Sequence, residues 1–225
     1  MGSEERSTNP ADRIVVAITG ASGAMYAVRL LQVLLNSNAE IHLTLSQSGA
    51  AVIRQELGLT VDVRDPDLGE LIASHPEWSK REQRFPTDKV SSALESGQLK
   101  FHQYDDYMTP IASGSFQTGA MVVCPCSGST LSGIARAASA NLIQRAAEVH
   151  LKEHRKLVLV PRETPLSVLQ LENMHRLAAA GAVILPAMPG WYHDVTSLDS
   201  LIDFVVSRIL DQLQIDNALM NRWGE

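Results

Sequence analysis

The chain has 225 residues, of which 45% are hydrophobic and 20% are charged, and its formal net charge at pH 7 is −6. The length suffices for one sizeable core, and the negative charge argues against a nucleic-acid-binding protein. The longest apolar runs fall far short of the ~20 residues that span a bilayer. Residues 1–12 are polar and have the pattern of neither a signal peptide nor a transit peptide. We therefore expect a cytoplasmic globular protein that does not enter the membrane.

The first apolar run, residues 14–18, precedes a turn of small residues at 19–24. Its mostly β-branched residues predict a strand buried on both faces, as in a parallel sheet. Residues 25–35 then predict a helix. This layout is typical of a βα phosphate site, although the spacing matches neither the G-x-G-x-x-G fingerprint nor the P-loop. The turn alone leaves two interpretations open, a phosphate site and a tight connection without a ligand.

Residues 41–45 predict a second strand that ends at Ser46, and residues 50–57 predict a helix. The next segment, residues 58–110, is more polar, contains several prolines and a charge cluster at 80–84, and shows weak periodicity. It is too polar for a core of its own, so we expect an excursion with short helices and an edge strand rather than a second domain. We interpret it as a peripheral flap or an oligomer-contact arm outside the catalytic core.

Strands and helices alternate again after residue 113. The predicted strands are 121–124, 157–160 and 182–185, and the predicted helices are 127–138, 141–156, 167–180 and 197–213. Alternation over nearly the whole chain predicts an α/β fold with a three-layer, doubly wound, mostly parallel sheet of the flavodoxin or Rossmann-like kind. The predicted domain organisation is a flexible tail at 1–12, a single domain at 13–215 and a C-terminal tail at 216–225.

The chain has two cysteines, Cys124 and Cys126, which flank one proline at the end of a predicted strand. Two cysteines provide no disulfide framework, and without further Cys ligands or a nearby His they make a poor zinc site. We therefore interpret both as buried thiols and predict no metal site.

Small, hydroxyl-bearing or charged residues follow most of the predicted strands. These strand exits carry Gly20, Ala21, Ser22, Ser46, Ser127, Gly128, Ser129, Thr130, Arg162, Glu163, Trp191 and Tyr192. In doubly wound folds, ligands bind outside the carboxyl ends of the strands. Hydroxyls, a cation and helix starts at one edge favour an anion. The sequence therefore predicts a phosphate-bearing ligand at this edge, with a purely structural edge as the alternative.

Three stretches connect the chain with a known family: ITGASGAMY at 18–26, NLIQRAAEVHLKE at 141–153 and LVLVPRETPL at 157–166. With them the chain resembles the flavin prenyltransferases, metal-independent α/β proteins that bind FMN. The resemblance runs from residue 14 to about residue 215, apart from residues 58–110, a segment longer than the family usually shows. It implies transfer of a dimethylallyl group from a dimethylallyl phosphate to N5 and C6 of reduced FMN. The product, prenylated FMN, serves a partner family of reversible decarboxylases. The resemblance also implies a large homo-oligomer, such as a dodecamer, with active sites at subunit contacts.

The resemblance implies a role for individual residues. The FMN-binding residues would be Gly20, Ala21, Ser22, Ser46, Ser127, Gly128, Ser129, Thr130 and Arg162. The substrate-binding residues would be Arg145, Lys152, Tyr192 and Arg208, with Trp191 as an aromatic wall. The catalytic residues would be Glu163, Glu56 and Tyr192. Ser129 departs from the family pattern, because many relatives carry a Lys there.

These residue types suit the implied chemistry. Breaking an allylic C–O bond leaves a delocalised carbocation and an anionic phosphate. Arg145, Lys152 and Arg208 can bind that phosphate, and the face of Trp191 can stabilise a cation. Glu163 can transfer a proton during this step.

The same residues also have structural interpretations when the resemblance is left aside. Arg145 and Lys152 are seven positions apart on one helical face, as in an ordinary solvated stripe. Glu163 could pair with Arg162. Among the seven histidines, only His193 stands beside a predicted site residue, and we expect most of the others to be solvated.

Two other functions are compatible with an FMN-binding edge. One is an FMN-dependent decarboxylase of cysteinyl substrates, but that group uses a His in the opening helix region, and the first predicted helix here contains none. The other is a non-catalytic flavin carrier subunit. A carrier would need none of Arg145, Lys152, Glu163 and Tyr192, so their joint presence favours the enzyme.

Overall fold

The structure is a computed structural model and describes residues 9–79, 85–192, 195–222 and 224. The charge cluster at 80–84, His193 and residues 1–8 of the predicted N-terminal tail lie outside the described residues. The division into two tails and one domain at 13–215 stays a prediction.

A six-stranded sheet forms the centre of the molecule, with the strand order β3-β2-β1-β4-β5-β6. The strands are β1 (Arg13–Ile18), β2 (Glu40–Leu45), β3 (Leu99–Gln103), β4 (Ala120–Cys126), β5 (Lys156–Pro161) and β6 (Val183–Ile184). Every neighbouring pair is parallel. Successive strands are added outward from β1 to β3 on one side of the sheet and from β4 to β6 on the other. The position between β1 and β4 is therefore the switch point of a doubly wound fold. The predicted fold class is confirmed.

Eight helices of the described residues connect and flank the strands. They are α1 (Ala24–Leu35), α2 (Gln47–Leu57), α3 (Leu68–Ala73), α4 (Thr87–Glu95), α5 (Gly128–Ala135), α6 (Leu142–Lys152), α7 (Val168–Ala179) and α8 (Leu198–Leu213). Serine side chains at the starts of α2, α5, α7 and α8 each accept a hydrogen bond from a backbone N–H of the first turn. Within the described part of the chain, no helix is long and apolar enough to cross a bilayer.

The core consists of two apolar layers, one on each face of the sheet. Alternate residues of a strand point to opposite faces, so Val16 and Ile18 pack on one side and Val15 and Ala17 on the other. The first layer includes buried residues of α1, α3, α4 and α8. The second includes buried residues of α5, α6 and α7. The helices α6 and α8 therefore cover opposite faces of the sheet.

The segment at 58–110 contains α3, α4 and the edge strand β3, as its prolines and weak periodicity predicted. Leu71, Ile72 and Val90 of this segment are fully buried in the main core, and its role as a flap or an oligomer-contact arm outside the catalytic core stays a prediction. The side-chain amide of Gln32 on α1 also donates to the carbonyl oxygen of Ile72 at 2.8 Å. The segment has no separate core but completes the shared one.

Candidate active site

The carboxyl ends of β2, β1, β4 and β5 lie side by side in the sheet and form what we call the carboxyl edge. Thr19, the first residue after β1, joins the middle of this edge. Its hydroxyl donates to the carbonyl oxygen of Pro125 at 2.7 Å and accepts from the N–H of Ser127 at 2.8 Å. These two bonds fix the turn after β1 against the end of β4, at the switch point of the sheet.

The turn after β1 also lies directly against the start of α2. The Ser46 hydroxyl caps α2 by accepting from the Gly49 N–H at 3.0 Å. A Cβ atom on Gly20 would lie 2.5 Å from the Cβ of Ser48, and one on Gly49 would lie 2.8 Å from the carbonyl oxygen of Ile18. The close approach thus depends on glycine at both positions. It places the predicted residues Gly20 and Ser46 at one point of the edge, with Ala21 buried and Ser22 exposed in the same turn.

The second helix start at the edge is that of α5. The Ser127 hydroxyl accepts from the Thr130 N–H at 3.3 Å and donates to the Thr130 hydroxyl at 3.0 Å. Ser127 and Thr130 are buried, whereas Gly128 is half-buried and Ser129 is exposed. The Ser129 hydroxyl lies 3.1 Å from that of Ser127. The accessible part of this turn is therefore formed by Gly128 and Ser129, at a helix start of the kind that binds anions.

Glu56 occupies the start of α1. Its carboxylate accepts from the N–H of Gly23 at 3.0 Å and from the N–H of Ala24 at 2.8 Å. These are the N–H groups that a βα phosphate site would offer to an external anion. The expectation that this helix start faces a phosphate is corrected, because the chain's own carboxylate binds there. The starts of α2 and α5 remain as the helix starts for a phosphate at the edge.

Tyr26 lies among charged and polar groups of the edge. Burial raises the pKa of Tyr26, the nearby Cys124 and Glu56 raise it further, and Arg162 lowers it. The Nε atom of Arg162 is buried and has no hydrogen-bond partner. A buried guanidinium nitrogen without a partner is rare in folded proteins, and it indicates that a ligand acceptor belongs beside it.

Cys124 and Cys126 are free and buried, as the sequence predicted. Burial raises the pKa of the Cys126 thiol to about 12, and burial together with Cys126 raises that of Cys124 further. Both are therefore neutral thiols. Among the described residues, no group of three His, Cys, Asp or Glu side chains is placed to hold a metal ion.

Glu163 is exposed at the exit of β5. It accepts a hydrogen bond from the side-chain amide of Gln170 at 3.2 Å. In the part of the chain that the structure describes, no ion pair joins Glu163 to Arg162, so the pairing considered from the sequence is not formed.

The two predicted cations on α6, Arg145 and Lys152, bind nearby groups of the same chain. The Arg145 Nε atom donates to the carbonyl oxygen of Ala112 at 3.0 Å. The Lys152 ammonium donates to the Glu153 carboxylate at 2.7 Å. Exposed pairs of this kind contribute only ~0–1 kcal/mol, so a phosphate can compete for the Lys152 cation.

Arg208 lies near the end of α8, on the opposite face of the sheet. Its Nη1 atom donates to the Asp211 carboxylate at 2.7 Å, and that carboxylate also accepts from Arg222 at 2.9 Å. Burial alone would raise the pKa of Asp211, but the hydrogen bond and charge of Arg222, the charge of Arg208 and a hydrogen bond from Asn217 lower it. Because α6 and α8 cover opposite faces, one chain does not bring Arg208 together with Arg145 and Lys152.

Two aromatic side chains stand exposed beyond β6. Trp191 is 72% exposed and Tyr192 is 53% exposed. The Tyr192 ring packs edge-to-face against Phe204, with 5.7 Å between the ring centroids. Aromatic rings left open in this way are typical of surfaces that another molecule covers.

Three residues of the site had no predicted role: Thr19, Tyr26 and Gln170. The Ser167-x-x-Gln170 spacing is a capping box that the sequence offers directly. Thr19 has the weaker signal of a hydroxyl at a strand exit. The sequence gives no signal for a role of Tyr26, because its pattern is that of an ordinary residue in an apolar helix.

Comparison with known proteins gives consistent results. The Flavoprotein family model matches residues 2–210. The flavin prenyltransferase UbiX of Halalkalibacterium halodurans is 47% identical over 210 residues, which are 93% of this chain and 92% of that protein. A crystal structure of AnUbiX (PadA1) in complex with FMN and dimethylallyl pyrophosphate is 37% identical, with a TM-score of 0.74, and covers 95% of this chain and 97% of that one.

A further solved structure is a dodecameric FMN-dependent UbiX-like decarboxylase from Escherichia coli O157:H7. It is 35% identical, with a TM-score of 0.75, and covers 95% of this chain and 100% of that one. The whole described fold is thus shared with these proteins rather than one part of it.

Proposed function

The chain belongs to the flavin prenyltransferase family of flavoproteins, and from this membership we propose its reaction. The enzyme transfers a dimethylallyl group from a dimethylallyl phosphate to N5 and C6 of reduced FMN. The observation that carries this proposal is the 47% identity to a flavin prenyltransferase over 93% of the chain.

The carboxyl edge fits FMN on three observations. The starts of α2 and α5 are capped by Ser46 and Ser127 and lie at neighbouring strand exits. The turn around Gly20 has no room for a side chain. The buried Nε atom of Arg162 lacks an acceptor. We assign FMN binding to Gly20, Ala21, Ser22, Ser46, Ser127, Gly128, Ser129, Thr130 and Arg162. When bound, the reduced flavin supplies the two nucleophilic atoms of the reaction.

The prenyl phosphate requires more than one subunit. We assign its binding to Arg145, Lys152, Tyr192 and Arg208, with Trp191 beside the departing cation. The α6 and α8 cations of one chain lie on opposite faces of the sheet, so they converge only if neighbouring chains contribute them. The dodecameric neighbour and the exposed Trp191 and Tyr192 support a homo-oligomer with sites at subunit contacts.

Within this site, the side chains of the protein neutralise charge and move a proton. Arginine and lysine bind the phosphate through charge-assisted hydrogen bonds, and the Tyr192 hydroxyl donates a further one. The Trp191 face stabilises the allylic cation. Glu163, exposed at the edge, holds a proton for the leaving phosphate or accepts one from the ring position that is alkylated. Glu56, which we keep as a catalytic residue of the proposal, also holds the start of α1 in place.

The alternatives have less support. A cysteinyl decarboxylase would use a His in the opening helix region, and α1 contains none. A carrier subunit would not need the exposed Glu163. The product would serve a prenylated-FMN-dependent decarboxylase, as in the family. The cytoplasmic location stays a prediction.

Mass spectrometry of the flavin tests the proposed reaction directly. We expect the purified protein, incubated without oxygen with reduced FMN and dimethylallyl phosphate, to yield a flavin heavier by one dimethylallyl unit. Excess EDTA should not change the yield, because we assign no role to a metal ion. A flavin of unchanged mass would contradict the proposal.

A further inference from the structure

Gln170, in the first turn of α7, contacts two parts of the site through its side-chain amide. The Nε2 atom donates to the Glu163 carboxylate at 3.2 Å. The same nitrogen lies 3.2 Å from the place where a Cβ atom on Gly128 would stand. Gln170 is thus packed between the exit of β5 and the start of α5.

The orientation of this amide is fixed by its other end. The Oε1 atom of Gln170 accepts from the backbone N–H of Ser167 at 2.8 Å, and the Ser167 hydroxyl accepts from the backbone N–H of Gln170 at 3.3 Å. This reciprocal capping box assigns the oxygen to Ser167, because a backbone N–H requires an acceptor. The NH₂ group must therefore point to Glu163.

Glu163 is exposed, and an exposed glutamate samples several rotamers unless a partner holds it. Within the described residues, the Gln170 amide is the hydrogen-bond donor to its carboxylate. A donor anchored to the helix backbone restricts that carboxylate to one side of the turn. The restriction matters for proton transfer, since a displacement of about 1 Å can cost a large part of the rate.

We propose that Gln170 is a positioning residue, which holds the Glu163 carboxylate in its orientation for proton transfer during prenylation. This inference rests on the proposed function, because Glu163 acts only if that reaction takes place. Gln170 itself touches no reacting atom in this role. Its effect should appear in the rate of the chemical step and not in the binding of flavin or prenyl phosphate.

The principal variant is Gln170→Glu. It has nearly the same shape and keeps an oxygen for the Ser167 N–H, but it replaces the donor with an acceptor that repels Glu163. We expect single-turnover formation of prenylated FMN at saturating FMN to slow about tenfold or more. Because the new charge also lies near Gly128, ligand affinities are compared in Gln170→Met, which removes the donor without adding a charge. This variant should also slow the reaction, with the dissociation constant of FMN and the KM for dimethylallyl phosphate nearly unchanged. The matched control is Ser167→Ala, which weakens the same cap but leaves the Gln170 amide on Glu163. It should keep the wild-type rate.

A double-mutant cycle with Glu163→Gln tests whether the loss of rate in Gln170→Glu depends on Glu163. If Gln170 acts through Glu163, Gln170→Glu should cause no further loss in the Glu163→Gln background. An equal loss in both backgrounds, an unchanged rate in the single variant, or an equal loss in Ser167→Ala would each overturn the inference. Wild-type protein that makes no prenylated flavin, or Glu163→Gln protein of normal rate, would instead overturn the proposed function beneath it.

Discussion

The flavin half and the prenyl-phosphate half of the proposed site are built in different ways. The flavin half consists of turns and helix starts at adjacent strand exits, fixed to one another by short hydrogen bonds such as those of Thr19. The prenyl-phosphate half consists of long cations on α6 and α8, which cover opposite faces of the sheet. In this proposal, the residues of the flavin half lie together in one chain, whereas the prenyl-phosphate half depends on how chains assemble.

The two halves also differ in the side-chain entropy that their residues lose when they are fixed. Serine, threonine and glycine lose little side-chain entropy when they are fixed, whereas each arginine or lysine loses up to ~2 kcal/mol. Arg208 is held by Asp211, and such an exposed pair contributes only ~0–1 kcal/mol. A phosphate offers stronger hydrogen bonds and can take this cation. We infer a preformed flavin site and a prenyl-phosphate site that is completed on binding.

The largest effect should come from Glu163, which is exposed at the exit of β5. Glu163→Gln keeps the shape of the side chain but cannot transfer the proton. We expect prenylated-flavin formation to slow ~10²-fold or more, while FMN binds nearly as well as in the wild type. Flavin affinity and single-turnover rate, measured on the same protein, check this. The matched control is Glu172→Gln, an exposed carboxylate on the same helix as Gln170. Normal turnover of Glu163→Gln would remove Glu163 from the mechanism.

A smaller effect, confined to the prenyl-phosphate half, should follow from Arg208→Gln. Loss of one hydrogen bond between charged groups costs ~1.5–3 kcal/mol. We therefore expect the KM for dimethylallyl phosphate to rise about 10- to 100-fold, with FMN affinity unchanged. Steady-state kinetics at saturating FMN measure this. Arg222→Gln removes the other arginine on Asp211 and should change KM little. If Arg208→Gln also lowered the affinity for FMN, the flavin half and the prenyl-phosphate half would not be independent.

The smallest effect should come from Gly20→Ala, which changes only the flavin half. The added methyl would lie 2.5 Å from the Ser48 Cβ atom, and such overpacking costs ~1–3 kcal/mol. We expect the dissociation constant of FMN, measured by fluorescence titration, to rise about tenfold. Adding Ser48→Gly should restore part of the affinity, because it removes the clashing atoms. A tenfold weaker binding that persists in the double variant would contradict the steric account.

The parts of the fold that depend on local pattern could be predicted from the sequence. Residues 14–18 predicted β1, since a run of β-branched residues suits a strand with both faces covered. The hydroxyl of Ser127 marked a helix start, which the structure places at the exit of β4. The helix predicted at 50–57 begins three residues earlier, at Gln47, where Ser46 caps it. The order of strands and helices then fixed the edge where a ligand binds.

Contacts between distant residues could not be predicted in this way. Glu56 reaches the start of α1 from a position 33 residues away, and no local pattern indicates that contact. The burial of Leu71 and Ile72 in the segment at 58–110 could not be predicted, because the average polarity of the segment hides these two residues. The edge strand β3 shows only a partly buried pattern, which gives a weak periodic signal.

The arrangement of the proposed site across subunits is tested most directly by complementation between two impaired variants. Lys152→Gln and Arg208→Gln chains are co-expressed with different affinity tags, and the mixed oligomers are purified over both tags. We predict that the mixed oligomers form prenylated FMN faster than either variant alone, because some subunit contacts then pair an intact Lys152 with an intact Arg208. Mixed oligomers no faster than the average of the two variants would contradict a site shared between chains.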